Sequence, residues 1–195
     1  MTLRFGFEVE GFFKERGDVV LPPLSYPTDG FPGLVEARTF GGKPIREQFY
    51  MLLSEMDRLE GTDFELFEHV FTGAQKRAIR ARHNEKTAYE IRNIYGKEPR
   101  LLGNRTLASF QINISDFHTT YRTNNNINID VYKPFDFVAI IRNLDKEFKD
   151  EIRQSKRQPG FYSLKEGFRV EYRSLPNFVA RQDPNKLLAR ISRCL

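Results

Sequence analysis

The stretch FRVEYRSLP at residues 168–176 alternates apolar and polar residues, a period of two that is typical of a half-buried β-strand. Val170 and Tyr172 are predicted to face one side of a sheet, and Glu171 and Arg173 the other. The pattern therefore places an acid and a base side by side on one sheet face, just before a Leu-Pro strand ending.

The beginning of the chain has the same design. In FGFEVEG, residues 5–11, Glu8 and Glu10 are predicted to share one face of a strand that covers residues 3–13. Two like charges on neighbouring positions repel each other, so such a strand needs a counter-ion. A hard divalent cation held by oxygen ligands is one answer.

Two further strands are predicted to carry polar groups on one face. Glu36 and Arg38 lie two residues apart in the strand predicted over residues 34–39, as Glu171 and Arg173 do. Gln111 and Asn113 share a face of the strand predicted over residues 107–115, and both side chains end in an amide oxygen.

Composition favours a soluble globular protein with a single domain over residues 1–195, since 39% of the residues are hydrophobic and 29% are charged. The net charge of +5 suits an anionic ligand such as a nucleoside triphosphate, and equally nucleic acid. The single cysteine, Cys194, excludes an intrachain disulfide and favours a reducing compartment. We see no signal peptide and no apolar run of membrane-spanning length, so we expect a cytoplasmic protein without a membrane partner.

Helical spacing of apolar residues separates these strands. We predict helices from Pro44 to Gly61, from Asn84 to Tyr95, from Pro134 to Ile152 and after Pro176, together with a short strand over residues 19–21, a loop over residues 123–128 and a turn at residues 159–160. Strands and helices in this order predict an α+β domain with an antiparallel or mixed sheet.

The predicted sheet gathers acids, amides and arginines on one surface: Glu8, Glu10, Glu36, Gln111, Asn113 and Glu171, with Arg38, Arg157, Arg169 and Arg173 around them. Oxygen ligands without clustered cysteine or histidine favour magnesium or manganese over zinc. Arginines can neutralise the charge that develops on a transferring phosphoryl group. The residues alone therefore predict a metal-dependent phosphoryl-transfer site on a sheet.

Other interpretations stay open at this point. A Glu-x-Arg pair on an exposed sheet face also suits a cross-strand salt bridge. Acids with basic residues also suit a metal-dependent nuclease. The basic run at residues 75–82 is compatible with a nucleic-acid patch or with a solvated surface. His69, His83 and His118 lack ligand-like spacing, and no phosphate-binding glycine loop or nucleophile elbow occurs.

Several motifs resemble a known superfamily. GFEVE at residues 6–10 and DG followed by GLVEAR, up to residue 38, resemble the opening of carboxylate–amine ligases with the glutamine synthetase and glutamate–cysteine ligase fold. RQPGFY at residues 157–162 and GFRVEYRSLPN at residues 167–177 look like the C-terminal signature of the small phage-type amide ligases in that superfamily. The resemblance implies a reduced form of that catalytic fold, with a curved, mostly antiparallel sheet packed with helices.

The resemblance also implies an activity: ATP phosphorylates a substrate carboxylate, and an amine attacks the acyl phosphate to form an amide. Carried over by position, Glu8 and Glu10 hold two divalent ions, Mg²⁺ or Mn²⁺, with Glu36 completing one metal site and Glu171 the other. By the same resemblance, Arg173 and Arg157 contact the ATP phosphates and stabilise the phosphoryl transition state, and Arg38 lies near the substrate or phosphate. We also expect Arg169 to be one of the cofactor-binding residues.

The chain departs from the superfamily on the middle strand, where such ligases usually have histidines and this chain has Gln111 and Asn113. An amide oxygen can ligate magnesium or bind substrate, but it cannot act as a base or as a nitrogen ligand. The expected partners are a small-molecule or peptide carboxylate and an amine, and a non-catalytic relative that binds nucleic acid or protein is the alternative. The resemblance is also compatible with a homo-oligomer. If the chain is encoded by a phage, we expect it in the cytoplasm of the host.

Overall fold

The computed structural model describes residues 3–15, 18–19, 34–39, 43–60, 64–65, 91–97, 109–122, 128–133, 135–165 and 169–195. These residues form the strands β1 Leu3–Glu15, β2 Asp18–Val19, β3 Leu34–Arg38, β4 Phe64–Glu65, β5 Ile91–Asn93, β6 Ser109–Arg122, β7 Asn128–Lys133, β8 Phe161–Lys165 and β9 Arg169–Pro176. The helices are α1 Ile45–Glu60, α2 Phe137–Glu147, α3 Lys149–Gln154 and α4 Pro184–Arg193, and Asn177–Arg181 form a 3-10 helix.

In the described part of the chain, the strands join into one nine-stranded sheet. Its main path runs β2-β1-β6-β9-β8-β5, while β3 and β4 also pair with β1, and β7 pairs with β6. Every pairing between these strands is antiparallel. The protein is therefore an α+β protein with an antiparallel sheet, as the order of elements predicted.

The two faces of the sheet differ as the alternation in the sequence predicts. On β1, Phe7 and Val9 are completely buried in the hydrophobic core, while Glu8 and Glu10 between and after them belong to the polar face. The same alternation on β6 buries Phe110, Ile112 and Ile114 in the core and leaves Gln111 and Asn113 on the polar face. One face thus packs against helices and the other gathers the charged groups.

Helix α1 covers the apolar face because its apolar residues recur every three or four positions. Phe49 contacts Phe7 edge to face with ring centroids 5.4 Å apart, and Phe7 stacks on Phe110 at 5.9 Å. Leu52, Met56 and Leu59 of the same stripe are also fully buried. The predicted helix after Pro44 is confirmed.

None of the described helices is both long enough and apolar enough to cross a bilayer.

The local structure differs from the prediction at five places. The predicted helix over residues 84–95 is wrong at its C-terminal end, where β5 pairs with β8 and a turn follows; residues 84–90 lie outside the described residues. Asn93 explains the difference, since its side chain accepts a hydrogen bond from Tyr95 N and donates one to the Pro159 carbonyl oxygen. Such local bonds compete with a helix.

The other corrections concern strands and a helix break. Strand β8 was not predicted, β7 starts at Asn128 inside the predicted loop, and β6 continues past residue 115 to Arg122. The predicted helix over residues 134–152 is two helices, because the backbone of Phe148 leaves the helical region at φ −106° and ψ 24°. The basic run at residues 75–82, His69, His83 and residues 20–21 lie outside the described residues.

Gly160 shows why the predicted turn at residues 159–160 needs a glycine. Its φ is +82°, a left-handed conformation that side chains with a Cβ disfavour. A Cβ at this position would also lie 2.7 Å from Cδ2 of Tyr95. The turn therefore packs directly against the residues that follow β5.

Arg190 on α4 ties the C-terminal helix to α2 and α3. Its guanidinium donates to Glu147 Oε1 at 3.0 Å, to Glu151 Oε1 at 2.5 Å and to Gln182 Oε1 at 2.8 Å, and it stacks on the Phe148 ring at 4.1 Å. Because several acceptors lose their donor together, Arg190→Ala is expected to lower the free energy of unfolding by about 2–3 kcal/mol. Chemical denaturation measures this change.

Arg193 provides the matched control for Arg190. Its guanidinium also bonds Glu147, at 2.9 Å, but its side chain is 61% exposed. Arg193→Ala is therefore expected to cost less than about 1 kcal/mol. Equal losses for the two variants would contradict the assignment of the helix contact to Arg190.

Candidate active site

Four acids from three strands lie on the polar face of the sheet. In the register of the strands, Glu10 on β1 is opposite Glu36 on β3, Glu8 is opposite Gln111 on β6, and Asn113 on β6 is opposite Glu171 on β9. The strand order is therefore β3-β1-β6-β9 across this region. Strands from both ends of the chain thus bring their acids together on one surface, as the sequence predicted.

Arg173 joins the acids of β1 and β9. Its Nη2 lies 3.4 Å from Glu10 Oε1, and its Nη1 donates to Glu171 Oε1. Burial opposes the charged form of Arg173, but the carboxylates of Glu10, Glu171 and Glu8 outweigh it and raise the pKa of the guanidinium further above its ordinary value. Arg173 is therefore permanently charged and is the central cation of the cluster.

The Glu10 carboxylate is almost completely enclosed and well bonded. Its Oε2 accepts from the backbone N–H of Ser109 at 3.2 Å and from the Ser109 hydroxyl at 2.8 Å. Its Oε1 accepts from Gln111 Nε2 at 2.8 Å. In addition, Asn177 Nδ2 donates to the Glu10 backbone carbonyl at 3.2 Å. These donors fix the position of the carboxylate relative to β6.

The Glu8 carboxyl lies beside two other acids. Its Oε1 accepts from Asn113 Nδ2 at 3.0 Å, and it interacts with Glu36 on the neighbouring strand β3 and with the charge of Glu171 on β9. Burial, and next the negative charge of Glu171, raise the pKa of Glu8 above its ordinary value. A bound cation can replace a proton in such a place, because it neutralises the same repulsion.

Two amide oxygens in the cluster lack a hydrogen-bond donor among the described residues. Gln111 and Asn113 use their amide nitrogens to donate to Glu10 and Glu8. Gln111 Oε1 and Asn113 Oδ1 are buried and have no hydrogen-bond partner in the described part of the chain. A buried acceptor without a donor is costly, so these oxygens are candidates for binding a cation or a ligand donor.

Glu171 has two further partners on β8 that the sequence did not indicate. The Ser163 hydroxyl donates to Glu171 Oε1 at 3.0 Å, and Lys165 Nζ lies 3.7 Å from Oε2. Both were missed because β8 was not recognised as a strand. Ser109 was missed as well, although it occupies the same alternating face as Gln111 and Asn113, so the alternation in the sequence could have identified it.

The other three predicted arginines have different surroundings. Arg157 is buried and donates from Nε to the Ser174 carbonyl at 3.2 Å and from Nη2 to the Arg173 carbonyl at 3.1 Å, so it fixes the backbone of β9 next to Arg173. Arg38 Nη1 lies 4.0 Å from Glu36 Oε1, and half of its side chain is exposed. Arg169 Nε is buried and has no acceptor among the described residues.

The donor set suits a hard cation, although it is not assembled as a closed cage. Carboxylate and amide oxygens are ligands that Mg²⁺ and Mn²⁺ accept. Within the described ranges, no three carboxylate, imidazole or thiolate residues form a group that could hold a metal ion by themselves. Magnesium is commonly held by one or two carboxylates, with water and phosphate oxygens as its other ligands. The residues present therefore fit such an ion.

A shallow depression on the outer side of α1 is separate from this cluster. It is lined by Lys43, Arg46, Glu47, Tyr50, Met51 and Ser54. None of the residues predicted to form the site contributes to it.

Comparisons with family models, with curated proteins and with solved structures found no match for this chain. The fold and the cluster define its class by themselves: an α+β protein whose antiparallel sheet has an acidic, arginine-containing polar face.

Proposed function

We propose that this protein is an ATP- and magnesium-dependent carboxylate–amine ligase that forms an amide through an acyl phosphate. The observation that carries the proposal is the position of Arg173, whose guanidinium contacts Glu10 and Glu171 on a sheet face that also holds Glu8 and Glu36. Carboxylates that can hold metal ions, next to a permanently charged arginine, suit the transfer of a phosphoryl group from ATP. The resemblance of the strand motifs to small amide ligases supports the same reaction, and we place it in the cytoplasm.

The reaction has two balanced steps. A carboxylate oxygen of the first substrate attacks the γ-phosphorus of ATP, and the bond from that phosphorus to the bridging oxygen breaks as ADP leaves. The amine nitrogen of the second substrate then attacks the acyl carbon, phosphate leaves, and the nitrogen loses a proton to give the amide. Bound magnesium would supply positive charge to the phosphate oxygens in the first step.

The chain's own residues bind and orient the reactants. Oxygen atoms of Glu8, Glu36 and Asn113 on one side, and of Glu10 and Glu171 on the other, would hold the cations. Arg173 would neutralise charge on the transferring group. Arg157 would act indirectly, because its bonds to the carbonyl groups of residues 173 and 174 hold β9 in place.

Release of inorganic phosphate from ATP in the presence of Mg²⁺ tests the proposal, with a panel of amino acids and short peptides offered as carboxylate and amine. Hydroxylamine added in place of the amine should trap the acyl phosphate as a hydroxamate. Phosphate release that needs a carboxylate, together with hydroxamate formation, is the expected result. ATP turnover with no dependence on any carboxylate and no hydroxamate would contradict a ligase.

A non-catalytic relative of the same fold is the second candidate. The observation that favours it is that Arg173 already neutralises Glu10 and Glu171 within the chain. A salt-sensitive affinity for nucleic acid, combined with no effect of ATP and Mg²⁺ on the melting temperature, would favour this candidate over the ligase. Cleavage of the nucleic acid with Mg²⁺ would instead indicate a nuclease.

A further inference from the structure

Tyr172 occupies the position on β9 between the two residues of the central ion pair. Glu171 and Arg173 direct their side chains to the polar face, so the side chain of Tyr172 projects to the apolar face, where it is completely buried. The residues opposite it are Ile112 on β6 and Tyr162 on β8, so Tyr172 lies inside the sheet and not at its edge. Any displacement of Tyr172 therefore moves the backbone that carries both charged neighbours.

The hydroxyl of Tyr172 is bound by a carboxylate of helix α2. It donates to Asp145 Oδ1 at 2.7 Å. Ile141 and Leu144 of the same helix belong to the same hydrophobic core as Tyr172. A hydrogen bond from a hydroxyl to a charged oxygen is roughly twice as strong as one between neutral groups. This bond therefore fixes the distance between α2 and the centre of β9.

The Asp145 carboxylate is itself held in place. Gly160 N donates to its Oδ1 at 3.0 Å, and the Tyr95 hydroxyl donates to its Oδ2 at 2.9 Å. Asp145 is also 7% exposed, so water offers few competing donors. Tyr172 thus bonds to an acceptor that cannot easily turn away.

Other contacts hold β9 at the following positions. Arg157 donates to the carbonyl groups of residues 173 and 174, and Phe161 N donates to Ser174 Oγ at 2.9 Å. These bonds act from residue 173 onward, whereas the Tyr172 hydroxyl acts one residue earlier. The Tyr172 contact is therefore the one that bears on both members of the ion pair.

We propose that Asp145 and Tyr172 are positioning residues for the polar face. Their hydrogen bond, made on the opposite side of the sheet, sets where Glu171 and Arg173 lie relative to Glu10. Arg173 Nη2 lies 3.4 Å from Glu10 Oε1, close to the longest distance of a hydrogen bond, so a small shift of β9 breaks this contact. The inference rests on the proposed function, because it concerns the same site, and it adds a requirement from outside that site.

Tyr172→Phe tests the inference, because it removes the hydroxyl and keeps the ring. The kcat of carboxylate-dependent ATP turnover is expected to fall at least about tenfold, since a displaced charged group serves the reaction poorly. The KM for ATP is expected to change less than about threefold, because Arg173 acts on the transferring group and Tyr172 touches no reactant.

Asp145→Asn is the conservative variant. Its amide oxygen can still accept from the Tyr172 hydroxyl and from Gly160 N, while its amide nitrogen can donate to the Tyr95 hydroxyl. Turnover by Asp145→Asn is therefore expected to stay within about threefold of wild type. A loss in Tyr172→Phe that is absent in Asp145→Asn assigns the effect to the hydrogen bond and not to the charge of residue 145.

A second measurement does not need activity. The Nε–Hε resonance of Arg173 in a ¹⁵N NMR spectrum, identified by its loss in Arg173→Lys, reports the contacts of this guanidinium with Glu10 and Glu171. It is expected to shift in Tyr172→Phe. The corresponding resonance of Arg58, whose Nε donates to Glu55 on α1, should stay in place.

Arg190→Ala is the control for a general loss of stability. It breaks the contacts of α4 with Glu147 and Glu151 and leaves the bond between Asp145 and Tyr172 intact. It is expected to lower the denaturation midpoint more than Tyr172→Phe does. Well below both melting temperatures, its turnover should nevertheless stay within about twofold of wild type.

An Arg173 resonance that does not move in Tyr172→Phe would overturn the inference. An equal loss of turnover in Arg190→Ala would overturn it as well, since general destabilisation would then explain the result. Failure of the ligase is a separate outcome, because it is measured by hydroxamate formation. If wild-type protein makes no hydroxamate, the proposed reaction is lost, and the Arg173 resonance still decides whether the hydrogen bond positions the cluster.

Discussion

Glu171→Gln is expected to lower carboxylate-dependent ATP turnover by at least about a hundredfold, because under the proposed function Glu171 is one of the carboxylates that would hold the cations. Glu171 accepts from Ser163 and Arg173 and lies next to Lys165. The replacement has nearly the same shape, so it removes charge and little volume. Phosphate release under saturating ATP and Mg²⁺ measures the effect.

Glu55→Gln is the control for charge removal. Glu55 lies on α1, bonds only to the neighbouring Arg58 among the contacts described, and is remote from the polar sheet face. Its turnover should equal that of wild type. If Glu171→Gln hydrolysed ATP as well as wild type, with Mn²⁺ binding unchanged, the assignment of the site to this sheet face would be wrong.

Asp145→Ala is expected to produce the largest loss of stability, about 3–5 kcal/mol. The buried Asp145 carboxylate accepts from the Tyr172 hydroxyl at 2.7 Å, from the Tyr95 hydroxyl at 2.9 Å and from Gly160 N at 3.0 Å. Its removal leaves the fully buried Tyr172 hydroxyl and a backbone N–H without this acceptor. Chemical denaturation measures the change.

Asp150→Ala is the matched control. Asp150 is also in the α2–α3 region, but its side chain is 87% exposed and its ion pair with Arg153 spans 3.8 Å. Its loss should cost less than about 0.5 kcal/mol. A similar cost for the two replacements would contradict the structural role given to Asp145.

Asp145 is also expected to make the stability of the folded protein depend on pH. Burial raises the pKa of Asp145 above 3.8, although hydrogen bonds from Tyr172, Gly160 and Tyr95 act in the opposite direction. The folded protein therefore binds the proton more tightly than the unfolded chain does. The extra stability that comes from protonation of this group is fully present below about pH 4 and is lost as the pH rises through the folded-state pKa. The melting temperature of wild type, measured relative to that of Asp145→Asn, should accordingly fall as the pH rises from 4 to 7.

Most of what could be predicted about the site came from the alternation of apolar and polar residues along the strands. The segments around Glu8, Gln111 and Glu171 each alternate, and this fixed which residues share a face on β1, β6 and β9. Because each segment is local, the pattern could not show that β6 lies between the other two strands. That order brings Arg173 of β9 to Glu10 of β1.

Other errors arose where a local pattern fits more than one structure. The residues up to Tyr95 suit a helix, and pairing with β8 makes Ile91–Asn93 a strand. Strand β8 itself is short and has no strong alternation, so its contributions of Ser163 and Lys165 were not found. Pairing with a distant strand outweighs weak local preference in both cases.

The sequence by itself determined the α+β class, the helices α1 and α4 and the identity of the polar sheet face, because these depend on periodicity within single segments. Only the tertiary structure decided which acid each arginine contacts. Arg157 turns to backbone carbonyls and Arg173 turns to two carboxylates, although both are arginines beside the same strand. Such choices depend on burial and on groups from distant parts of the chain, and no local pattern encodes them.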